Sequence, residues 1–173
     1  MRFVATAAGF ALALASVPAP AQNAKPNDAE IAHIAYTAGV IDIKAAQLAL
    51  QKSKNKEVRD FAQNMVHDHT AVNDQALALV KKLKVTPQDN DTSKALVKQA
   101  AAKRAELEKL SGAKFDKAYA DNEVAYHKAV DSALETVLIP DATNAELKDL
   151  LTTGLKIFQG HEQHAEHVAQ SLN

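Results

Sequence analysis

The chain has 173 residues, with 20 Lys and Arg against 21 Asp and Glu, no cysteine, and only five Gly and five Pro. Near-neutral charge excludes a phosphate-binding surface, which needs a clustered excess of Lys and Arg, so no nucleic-acid partner is expected. Without cysteine there is neither disulfide staple nor thiolate chemistry, and few breakers among abundant Ala, Leu, Lys, Gln and Glu favour helices.

The chain opens with Met1-Arg2 and the apolar stretch Phe3 to Val17, then reaches Ala19-Pro20-Ala21, a small-x-small site. Residues 1–21 therefore read as a secretory signal peptide cleaved before Gln22. The apolar run is shorter than the roughly 20 residues a membrane-spanning helix needs, and no second run follows, so no span is expected in the mature protein. The expected location is the periplasm, with outer-membrane association and an envelope protein partner left open and the oligomeric state undefined. Residues 22–27 read as a flexible linker, and residues 28–173 as one helical domain.

Asp28 is the expected cap of a first helix whose apolar series is Ile31, Ile34, Ala35, Ala38, Ile41, Ala45, Leu48 and Ala49, ending near Ser53. After the break at Lys54-Asn55-Lys56, a second helix carries Val58, Phe61, Ala62, Met65, His69, Val72, Ala76, Leu79 and Leu83 and stops before Thr86-Pro87. Residues 88–92 read as loop. Ser93 to Leu110 is a Lys- and Ala-rich helix with a weak apolar face, expected at the periphery. From Ala113 to about Leu138 a fourth helix carries Phe115, Tyr119, Glu123, His127, Val130, Leu134 and Val137, with Pro140 just beyond its end. Asn144 caps the last helix, whose stripe is Leu147, Leu150, Leu151, Gly154, Phe158, His161, Ala165, Val168 and Leu172. No run of alternating β-branched residues predicts a strand. Two helical hairpins joined by one long crossover give an all-α, ferritin-like antiparallel four-helix bundle with an additional crossover helix. An up-down-up-down bundle is the competing topology.

His69, His127 and His161 each stand where the stripe calls for an apolar residue, and Asp42 and Glu123 lie on or beside the apolar faces of their helices. Counted from the first turn, Asp42 and His69 differ by roughly 4 to 5 Å in rise. Glu123 and His161 are equally far from the second turn, so one shared layer is compatible with both. Imidazoles and carboxylates from facing helices suit a transition metal ion, Fe, Zn, Mn or Cu. The candidate ligands are Asp42, His69, His127 and His161, with Glu123 a further one, because Glu123 and His127 share a helix face. The competing reading makes them core histidines, each satisfied by a local partner and fixing helix register. His67 faces away from His69, His33 is off the main stripe, and His161, His164 and His167 form a track suited to a surface ion or to the helix C-terminal dipole. No nucleophile elbow, phosphate loop or His-Glu-x-x-His motif is present, and no open coordination position or substrate path is legible, which points away from an enzyme.

Phe61-Ala-Gln-Asn-Met-Val-His-Asp-His69, then Leu110-Ser-Gly112 with Phe115-Asp116 and Tyr119, then His127 and His161, resemble the pattern of domain of unknown function 4142 over about Asp28 to Leu172. That resemblance implies an exported, ferritin-like bundle of a family often labelled outer-membrane proteins. It also implies that Asp42 matches a position usually held by Glu, and that His69, His127 and His161 match the family's histidines. It implies no activity. Lys156 replaces the family's usual Pro in the last helix, so its kink is expected to be lost. Val66, Val124 and Phe158, three residues before the histidines, replace the Glu of di-iron bundles and argue against a di-iron oxidase. The expected function is an exported bundle holding a transition metal in a buried layer, with a role in stress protection. The alternative is a structural or interaction protein whose histidines only specify packing.

Overall fold

The computed structural model describes residues 25–173. The signal-peptide segment and the first half of the linker, residues 22–24, lie outside the described residues. The helices are α1 (Asp28–Lys52), α2 (Lys56–Leu83), α3 (Asp91–Glu108), α4 (Gly112–Ala133), a single turn α5 (Ile139–Asp141) and α6 (Ala145–Ser171), with no strand among the described residues.

Asn27, rather than Asp28, caps α1. Its side-chain oxygen accepts from the Ala29 and Glu30 N–H groups, and the Glu30 carboxylate accepts the Asn27 N–H, a reciprocal capping box. That leaves the Asp28 carboxylate to accept from the Thr143 N–H and hydroxyl and from the Asn144 N–H, which fastens the start of α1 to the loop before α6. Asn55 caps α2 and Asn144 caps α6, as their side chains predict. The fourth helix departs from expectation at its far end. Pro140 does not lie beyond it: residues Leu134–Leu138 widen into a π-helix, with the Ile139 N–H donating to the Leu134 carbonyl, and Pro140 begins the next turn where its missing N–H is tolerated.

The Gln88 N–H donates to the Ala29 carbonyl, and the Arg104 guanidinium to the Lys44 carbonyl, so α3 runs parallel to α1 along its outside. The hairpins α1–α2 and α4–α6 are thereby joined by a long crossover, the ferritin-like connection. As its weak stripe predicts, α3 is peripheral, burying only Ser93 and Leu107. Helix α6 is uninterrupted at Lys156.

Two apolar clusters fill the bundle. One, near the α1–α2 turn, centres on Val58, Phe61, Met65, Phe115 and Tyr119. The other, at the opposite end, centres on Ile31, Ile34, Leu134, Leu147 and Leu151. Gly39 lets α2 approach α1 between them, because a Cβ there would collide with the Asn73 side-chain amide.

Candidate metal centre

The boundary between the two apolar clusters is polar. Asp42 from α1, His69 from α2, Glu123 and His127 from α4 and His161 from α6 are all buried, and Asp42, Glu123 and His127 are each 1% exposed. All five residues singled out from the sequence thus share one layer. The ligand atoms of His69, His127 and His161 lie within 4.8 Å of one another, and so do those of Asp42, Glu123 and His127.

Asp42 Oδ2 stands 3.0 Å from His69 Nε2 and 3.3 Å from His127 Nε2. Neither approach has hydrogen-bonding angles, since both Asp42 oxygens, both His69 nitrogens and His127 Nε2 lack a hydrogen-bond partner among the described residues. Ligands about 2.0–2.1 Å from a tetrahedral ion stand roughly 3.3 Å apart, so these separations are compatible with convergence on one cation.

The outer nitrogens are held. His127 Nδ1 lies 3.0 Å from the Glu123 backbone carbonyl and donates its N–H to it, which leaves Nε2 as the lone-pair nitrogen facing the layer. His161 Nε2 lies 2.9 Å from Asp68 Oδ2 and donates its N–H to that carboxylate, which leaves the unpartnered Nδ1 with the free lone pair. Phe158 stacks on the His69 ring at 4.6 Å and an interplanar angle of 10°, fixing its plane. A carboxylate or carbonyl behind a histidine sets its tautomer and raises its basicity toward a metal.

Burial holds His127 below the ordinary imidazole range and pushes His161 down to about 4, so both are neutral at pH 7. Burial raises the Asp42 carboxyl, but the histidines around it, His69 foremost, outweigh burial and hold it below the usual carboxylate range. Glu123 moves the other way. Burial and then the charge of Asp42 push it well above the usual carboxylate range, so it carries a proton that a bound cation would displace.

Asp68 went unremarked in the sequence because it flanks His69 on an outer face; its role depends on α6 lying alongside. Asp131, one turn beyond His127, was also missed. It is buried without a hydrogen-bond partner, and burial, with Glu162 nearby, raises it to about 7. The other histidines do not join the layer. His67 is exposed and bonds Asp68 at 2.8 Å, and His33 borders a cleft beside α1. The His161, His164, His167 track divides: His161 points inward, His164 packs edge-on against Phe61 at 5.1 Å, and His167 is exposed.

No helix among the described residues is long and apolar enough to cross a membrane. No curated protein matches the chain in sequence. A solved structure described as CopM in the Cu(II)-bound form superposes with a TM-score of 0.65 at 12% identity, covering 86% of this chain and 99% of that one, a likeness that shows the fold. The family model of the domain of unknown function DUF4142 matches residues 13–168, and the chain belongs to that family.

Proposed function

We propose that the buried layer binds one transition metal ion through Asp42, His69, His127 and His161, with Glu123 beside them as a further ligand. The observation that carries this reading is the concentration of unpartnered ligand atoms in one place. Asp42 Oδ1 and Oδ2, His69 Nδ1 and Nε2, His127 Nε2, His161 Nδ1 and Glu123 Oε2 are all buried without a hydrogen-bond partner among the described residues. Buried polar groups are ordinarily satisfied, and here a cation satisfies most of them together. A donor set rich in imidazole favours Cu or Zn over Mn, and affinity peaks at Cu. The likeness to a protein solved with Cu(II) supports copper as the first ion to test. Holding a redox-active ion inside a bundle is the form of stress protection such a site suits.

The stack of Phe158 on His69 favours a second reading, in which the layer only fixes helix register. Elemental analysis of protein purified without chelator separates the two. Near-stoichiometric metal that is lost in a His69→Ala, His127→Ala double variant supports binding, and metal-free protein of unchanged fold supports packing.

Export belongs to the same proposal, supported by the apolar stretch Phe3 to Val17 and the Ala19-Pro20-Ala21 site. Mature protein should begin at Gln22. Sequencing that finds Phe3 to Val17 retained on a membrane-bound product contradicts cleavage.

A further inference from the structure

Beside the metal layer, between α1, α3 and α4, runs a cleft of about 1000 Å³ that metal binding does not use. Tyr36 and Val40 of α1, Leu96 and Ala100 of α3 and Val130 of α4 contribute to its walls. It follows α1 from His33 to Leu48, about 22 Å at 1.5 Å per residue, the length of an extended long acyl chain. Among its lining residues the charges are sorted by end. Asp89 lies at the end where α1 and α3 begin, and Lys44, Lys103 and Arg104 lie toward the end where both helices finish. Lys103 is paired with Glu106, and Arg104 with Glu108 and the Lys44 carbonyl. The Lys44 ammonium has no carboxylate partner among the described residues.

A long apolar cleft with a free cation at one end and a carboxylate at the other fits a long apolar chain with an anionic head, oriented head toward Lys44. We propose that this cleft binds a free long-chain fatty acid, with its chain along α1 and its carboxylate at Lys44. A carboxylate rather than a larger head follows from the single unpaired ammonium. Leu134 and Leu138 of the π-helix line the cleft at the end away from Lys44.

The test is titration of the purified, chelator-treated mature protein with cis-parinarate, a fluorescent 18-carbon fatty acid, followed by displacement. Saturable enhancement near one equivalent is expected, reversed by palmitate and about tenfold less effectively by hexadecanol, which lacks the charge. Lys44→Glu, an exposed substitution, should weaken palmitate about tenfold and leave hexadecanol unchanged. Ala100→Trp, which fills the cleft from α3, should remove both, with an unchanged circular dichroism spectrum showing that the bundle still folds. No saturable signal, binding that ignores both variants, or binding of phosphatidylglycerol vesicles without monomeric palmitate overturns the proposal. Since the protein is metal-free throughout, this result is independent of the metal reading.

Discussion

Where α1 turns into α2, Val58, Phe61, Met65 and Phe115 are completely buried, and the Phe115 and Tyr119 rings lie parallel 6.1 Å apart. At the opposite end, Leu134, Leu147 and Leu151 keep a little exposure, and Val72, Leu79 and Val80 are only partly buried. Yet α2 carries one apolar stripe through both regions, from Val58 to Leu83, interrupted by His69 at their boundary. What differs is the opposing surface. In the closed half, aromatic rings from α2 and α4 fill the space around Phe61, whereas along α1, from His33 to Leu48, the cleft lies between α1 and α4, and α3 offers too little apolar surface to close it. Helical periodicity says which face is apolar. It does not say whether that face meets another helix or a cavity.

The comparison breaks first on truncation. Phe61→Ala in the closed half should cost about 3–5 kcal/mol, whereas Leu96→Ala at the cleft wall should cost under about 1 kcal/mol, both read from urea denaturation. Equal costs would mean that the two halves are packed alike.

Acid should act through the layer. His161 is held at about 4 against an unfolded value near 6.5, so the unfolded chain binds more protons between those limits and metal-free protein loses stability as pH falls through that window. The contribution is up to about 3 kcal/mol. His161→Leu should shrink the loss between pH 6.5 and 4 by a comparable amount in denaturation series, and an unchanged slope contradicts the assignment.

Asp131 has the opposite sign. Its folded value of about 7 lies above the unfolded one, so the stability it lends is present at low pH and is lost as pH rises toward 7. Asp131→Asn should therefore stabilise the protein at pH 8 by at least ~1 kcal/mol and leave it unchanged near pH 4. Gly39→Ala should cost roughly 1–3 kcal/mol because the added Cβ meets Asn73 where α1 and α2 touch. A neutral outcome in the melting temperature would show that the amide moves aside freely.

Much of this was legible in the chain. The four long helices, the crossover and the five polar residues of the layer follow from spacing, because a charged or imidazole group on an apolar stripe has nowhere to go but inward. What spacing could not supply were contacts between distant helices. Asp68 looks like any exposed acid on α2 until α6 brings His161 to within 2.9 Å of it. The histidine track on α6 looked continuous, but i, i+3, i+6 drifts round the helix, and only His161 stays on the inner face. Asp28 and Asn27 compete for one cap, and the reciprocal bond to Glu30 decides it for Asn27. The cleft escaped notice because the residues of α1 that line it, Ala38, Ile41 and Ala45, read as ordinary core positions.

The central claim is that the internal histidines, rather than those at the surface of α6, hold the ion. It is tested most directly by the melting temperature of chelator-treated protein with and without one equivalent of Cu(II) at pH 7, in the wild type, His127→Leu, and the pair His164→Gln with His167→Gln. The layer as described predicts a metal-induced rise in the wild type, its retention in the surface pair, its loss in His127→Leu, and its disappearance from the wild type as pH falls to about 4, where His161 takes up its proton. A rise that survives His127→Leu and vanishes in the surface pair would place the metal on the outside of α6 and contradict the internal site.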